Sequence, residues 1–260
     1  GAVMQSILKN PLASSYTMGV SSGAALGAAL VILTGFTLPL IPAFTLPFAG
    51  TLAGLLTVYA SVKVAALVDR NFENSTIILT GIVFSLFING IITIIIALNR
   101  DGMARLIFWQ MGSFASQNIK NFNVLLPICA AGTLILTGLS HEMDLLTFGE
   151  EQAKTMGVDT KKVKWILLFL ASALTGTVIS FVGIIGFIDL ISPHIVRKLV
   201  GARHKIVIPV SFCIGGTAMV LCDMTARTIL SPQELPVGAI TALAGAPFFC
   251  YVYFKGRRRA

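Results

Sequence analysis

The chain has 260 residues, of which 55% are hydrophobic and 12% charged, with a net charge of +8 and a mean hydropathy of +0.87. Soluble domains carry about 25% charged residues, so this composition excludes an ordinary water-soluble enzyme or binding module. The positive balance does not point to nucleic acid, because membrane proteins gather Lys and Arg in cytoplasmic loops.

A helix needs about 20 apolar residues to cross roughly 30 Å of hydrocarbon. The apolar runs reach that length without the alternation of a strand barrel, which predicts an all-α polytopic membrane protein. Gly1 to Leu8 reads as the end of a helix already under way, so the chain is expected to be a fragment whose N-terminus lies upstream. Lys9-Asn10-Pro11 stops that stub, since proline and its predecessor disfavour helix. The next span, 21–35, opens with the small-residue run SSGAALGAA, which lets helix backbones approach closely. After Pro39, Pro42 and Pro47 comes a span over 46–68, and Asn74-Ser75-Thr76 is placed to cap another over 77–98. Residues 100–121 form a mixed loop with an interfacial helix carrying Trp109.

Further spans cover 122–138, 165–184, 207–226 and 237–254. The piece 187–200 is short and holds Pro193, so it is expected to be part of a broken helix inside the bundle. That makes about eight spans plus the stub. Between two of them lies the polar island 141–164, with nine of the 30 charged residues and five of the eleven acids. Assigning alternate sides places 15 basic residues with the island, the Asn10-Pro11 turn and the C-terminus, and four (Arg100, Arg105, Lys120, Arg227) opposite. The positive-inside rule makes the first side cytoplasmic, with the basic tail 255–259 as a topology anchor. The cysteines, Cys129, Cys213, Cys222 and Cys250, stand singly in apolar runs and read as buried thiols.

Catalytic signatures are weak. HEMDL begins like H-E-x-x-H, but Leu145 stands where the second zinc ligand belongs. GVSSGA (19–24) with His194 suggests an intramembrane serine protease, although a packing face explains Ser21 and Ser22 better. No G-x-x-x-x-G-K-[ST] occurs, so any ATP is hydrolysed on another chain. An ion-coupled secondary transporter remains a second alternative.

GAVMQSILKNPLASSYTMGVSSGAALG, LTFGEEQAKTMGVD, GIIGFIDLISPHIVRKLVG and LPVGAITALAGAPFF resemble, in order, segments of the permeases that import iron-siderophore, haem and vitamin B12 in ATP-binding-cassette systems. The resemblance covers essentially the whole chain. It implies a type II importer permease fold of ten spans, with the first span and most of the second absent here and both termini cytoplasmic. It implies a single permease domain over 1–260 with a cytoplasmic coupling region at 141–164. Partners would be a second permease chain (a copy or a close relative), two cytoplasmic ATP-binding subunits and an extracytoplasmic binding protein. ATP and Mg would sit on the ATPase, no cofactor or metal on this chain, and the setting would be a prokaryotic inner membrane. Iron chelates, the family's commonest cargo, are the first expectation.

On that resemblance Gly149, Glu150, Glu151, Lys154 and Gly157 form two short helices joined at a bend and seated in the ATPase, with the three charges on the wet face. Arg227 matches a basic position that meets the binding protein, and Asn74 and Ser75 match the gate at the foot of a pore-lining helix. Asn10, Pro11, Leu12, Pro193 and His194 belong to the family signature, with His194 read as structural. His141 and Asp144 are expected to be a solvated approach to the coupling element. Two positions depart from the family: Ser14-Ser15 replaces an acidic residue and proline, and Asp189 replaces a glycine. A carboxylate at membrane depth marks a functional site unless it is paired, so Asp189 either lines the pathway or has a structural role, pairing with Arg197 or capping a broken helix.

Overall fold

The computed structural model describes residues 1–69, 71–99 and 102–257, with no strand among them. Twelve helices follow in order: α1 (Ala2–Ile7), α2 (Val20–Thr34), α3 (Thr45–Val68), α4 (Asn74–Leu98), α5 (Met103–Gln110), α6 (Ile119–Gly138), α7 (Ser140–Phe148), α8 (Glu150–Thr155), α9 (Thr160–Val182), α10 (Ile188–Val200), α11 (His204–Thr228) and α12 (Val237–Arg257). Five segments are long and apolar enough to cross a membrane: Pro42–Val68, Asn74–Leu98, Ile119–Gly138, Thr160–Val182 and His204–Thr228. The shorter apolar helices α2 and α12 stand where the sequence predicts two further spans, and the 13-residue α10 is the short piece that holds Pro193.

The small-residue run in α2 does what its composition predicts. A Cβ on Gly27 would fall 2.9 Å from the Gly50 Cα and closer still to the Ala49 carbonyl, so α2 and α3 touch through backbone. Around this pair the core gathers Met4, Ile7, Met18, Val58, Val62, Leu167 and Leu168 from α1, the turn before α2, α3 and α9. The flank of α4 is the reverse, with Leu79, Val83, Leu86 and Phe87 exposed. An apolar surface of this kind suits lipid or a second chain rather than water.

α5 is amphipathic, with Met103 and Phe108 exposed on one side. Its Leu106 is fully buried, and Trp109 packs on the core beside Ile184. The chain breaks after α9 as expected, and the freed carbonyls are satisfied by protein. Phe181 accepts from Gln117 Nε2 at 2.6 Å, Val182 from the Ser113 amide at 2.9 Å and Ile185 from the Tyr16 hydroxyl at 2.5 Å. Backbone at membrane depth that leaves the helix needs such partners.

Candidate functional site

The polar island folds as α7 and α8 joined at Gly149. That residue has φ 133° and ψ 151°, a conformation open only to glycine, so the sharp bend requires it. Gly157, at φ 86°, closes α8, and the Val158 amide donates back to the Ala153 carbonyl at 3.0 Å. Ala153 is fully buried against the bundle. On the outer face Glu151 and Lys154 form a 2.9 Å ion pair, 89% and 50% exposed respectively. The Glu151 carboxylate accepts from the Lys154 ammonium and pushes its pKa up.

Glu150 does not share that wet face, contrary to the sequence expectation. Its carboxylate turns inward onto the Lys164 ammonium, whose side chain is only 2% exposed. The same Nζ donates to Asn74 Oδ1 at 2.8 Å and to the Phe72 carbonyl at 3.4 Å. An ammonium has three donors, and here three acceptors from three different elements take them. Sequence reasoning counted Lys164 as one more charge of the island. Its only sequence signal is a position beside Trp165, within the first turns of a span.

The turn before α4 is fixed by other means. Phe72, at φ 56°, buries its ring and stacks on Trp165 with centroids 6.2 Å apart and planes 1° from parallel. Asn74 does not cap α4; Asp69 holds the turn that leads into it. Its carboxylate accepts from the amides of Glu73 and Asn71, both at 2.8 Å, and from the Thr76 hydroxyl at 3.2 Å. Asn74 is thereby free to face Lys164, while Ser75 is exposed and its hydroxyl reaches only Glu73, at 3.5 Å. The Glu73 and Asn71 amides hold the Asp69 carboxyl below its ordinary 3.8. A depressed folded value contributes order above the unfolded pKa and loses it as pH falls through the folded one. Amide protection at 71 and 73, measured by hydrogen exchange relative to intrinsic rates, should therefore hold at neutral pH and fade only below 3.8. In Asp69→Asn it should be weak at every pH.

Asp144 is not merely a solvated approach. Its Oδ1 accepts from the His204 amide at 3.1 Å and lies 2.5 Å from His204 Nδ1, so it caps α11 and ties α7 to it. His141 is exposed, as expected.

The two departures from the family pattern meet each other. Ser14 Oγ donates to Asp189 Oδ2 and accepts from the Tyr16 amide at 3.1 Å. Asp189 lies in the first turn of α10, so this contact ties that helix to the turn before α2. Arg197 does not pair with Asp189; its guanidinium donates to Gln5 Oε1 and, at 3.2 Å, to the Ala2 carbonyl. Asp189 also lines a cavity of about 480 Å³ between α6, α9, α10 and α11, walled mainly by apolar side chains such as Leu174, Ile208 and Phe212. In the signature turn Asn10 Oδ1 accepts from the Leu12 amide at 2.9 Å, with Pro11 exposed between them. His194, one residue after Pro193 in α10, packs edge-on to Phe248 at 6.3 Å.

Arg227 stands near the far end of α11 from Asp144, a helix about 37 Å long at 1.5 Å per residue. It donates to Asp223 at 2.8 Å and lies 3.8 Å from Glu234, so two of the chain's own acids already hold it. The four cysteines are unpaired, with Cys213 and Cys250 exposed and Cys129 and Cys222 partly so. The expectation of buried thiols fails because an all-round apolar helix gives no sign of which face meets protein. No metal-ligand cluster occurs among the described residues. Ser22 donates to the Gly19 carbonyl at 3.0 Å and is buried where α2 packs.

A multi-pass helical bundle with a polar hairpin bound to the foot of one of its spans has the architecture of a transport permease. The chain belongs to the FecCD transport family, whose pattern it matches over residues 1–255. It is 40% identical to the ABC transporter permease protein YvrB of Bacillus subtilis over 99% of this chain and 73% of that one. It is 37% identical to the cobalamin import system permease protein BtuC of Halobacterium salinarum over 97% of this chain and 66% of that one. A solved structure described as an inward-facing metal-chelate-type ABC transporter superposes with a TM-score of 0.85 at 30% identity, covering 97% of this chain and 80% of that one.

Proposed function

We propose that this chain is the membrane subunit of an ATP-driven importer of metal chelates, with iron(III)-siderophore complexes the first cargo to test. The observation that carries the reading is the α7–Gly149–α8 hairpin, which offers Glu151 and Lys154 outward while Glu150 binds the bundle through Lys164. One ATPase subunit docks on that hairpin from the cytoplasm, and another on the equivalent hairpin of a second permease chain. The two hold the ATP and Mg and perform the only covalent chemistry. The C-terminus shares that side, as the distribution of basic residues supports. That second permease chain covers the apolar flank of α4, and cargo passes between the two chains beside Asn74 and Ser75. An extracytoplasmic binding protein meets the Arg227 end, where Arg227 exchanges its own acids for a partner's. A rim pair of that kind orients the complex more than it tightens it.

Crosslinking tests the arrangement. Lys154→Cys should capture the ATPase and Arg227→Cys the binding protein, in the assembled complex; capture of the binding protein at Lys154→Cys would overturn the sidedness. At Asp189 the pathway and structural roles separate in a second experiment. Asp189→Gly should lower thermal stability, and Ser14→Asp in the same chain should restore it by returning the acid to the turn. Uptake that stays normal in Asp189→Gly would remove this residue from the pathway.

A further inference from the structure

The coupling hairpin and the foot of α4 are 14 and about 90 residues from Lys164 in sequence, yet both end on its one ammonium. We infer that Lys164 is the positioning residue that carries movement of α8 to α4. The inference rests on α7–α8 being the seat of the ATPase.

The geometry gives each part a task. α8 is a six-residue helix set off by bends at Gly149 and Gly157, both in glycine-favoured conformations, with Ala153 between them seated in the bundle. Its first residue, Glu150, is the one whose carboxylate is turned to the bundle. Lys164 sits in the second turn of α9, where Trp165, stacked on Phe72 and tilted against Tyr59 at 6.1 Å, keeps the neighbouring backbone in place. Asn74 is the first residue of α4, so a pull on its side chain acts on the whole helix at its end. Phe72 presents its carbonyl to the same ammonium and its ring to the same lysine at 6.0 Å. Buried charges are little screened by salt, so the strut keeps its strength at cellular ionic strength. The outer pair Glu151–Lys154 has no such reach: it joins α8 only to itself.

The experiment is hydrogen–deuterium exchange on the permease assembled with its ATPase in lipid nanodiscs, with and without ATP and vanadate, so that no cargo is needed. In the wild type, trapping the ATPase should change exchange in both 149–157 and 72–80. In Lys164→Met the change at 149–157 should persist and the change at 72–80 should vanish, a split that general loosening would not produce. Glu150→Ala, at a side chain 29% exposed, removes the acceptor outright; it is the variant to use should Lys164→Met fail to assemble, and it should give the same split. A response at 72–80 that survives either replacement would overturn the role of Lys164. A wild type in which 149–157 ignores ATP would instead remove the docking assignment itself, and the inference with it.

Discussion

Reversing the charge at Glu150 should abolish uptake by parting the hairpin from the bundle, whereas the same reversal one residue later should leave the bundle intact and act only on the ATPase contact. Glu150→Lys sets a second ammonium against Lys164, which is 2% exposed and cannot turn to water. Breaking a buried pair from one side costs about 3–5 kcal/mol, because the remaining charge is stranded. That is a large part of the 5–15 kcal/mol by which a folded domain is stable, and it falls on the contact between α8 and α9. Glu151→Lys breaks only an exposed pair within one helix turn, worth about 0.2–1 kcal/mol. Thermal stability of the purified permease checks the contrast: it should fall in Glu150→Lys and hold in Glu151→Lys. Equal losses of stability at the two positions would mean that Glu150 is no more part of the bundle than Glu151.

Gly27→Leu should prevent the permease from accumulating at all. Even a Cβ at this position meets the Ala49 carbonyl and the Gly50 Cα, both backbone atoms that move only with α3. Overpacking of a tight site costs about 1–3 kcal/mol when side chains can yield, and more when backbone must. In a membrane the loss is direct, since close van der Waals packing rather than burial from water holds helices together. Gly138, in α6 and away from the flank of α4, is the control: its Cβ would meet nothing within 4 Å, and Gly138→Leu should accumulate normally. Membrane-fraction immunoblots of the two variants decide it.

Much of the fold was legible because bilayer thickness fixes span length. The long runs, the stub before Pro11 and the break before Pro193 all follow from apolar length and proline. The hairpin was legible too, through its charge density and the glycine at its bend. What the sequence concealed are pairings between distant residues. Glu150, a surface charge by composition, is an inner one because Lys164 lies under it; Asp144 finds His204, and Ser14 finds Asp189. No local period encodes such contacts. Lipid-facing and protein-facing sides of α4 and α11 look alike in sequence for a related reason: both are apolar, and only neighbours decide which is which. That is why Cys213 emerges on the surface of α11.

The central claim is that ATP hydrolysed on another chain drives this bundle through α7 and α8. Its most direct test is accumulation of a ferric siderophore in proteoliposomes holding the permease and its ATPase, with loaded binding protein outside. The account predicts accumulation that requires ATP inside, survives collapse of proton and sodium gradients, and is lost in Glu150→Lys. Accumulation driven by an ion gradient without ATP would contradict it.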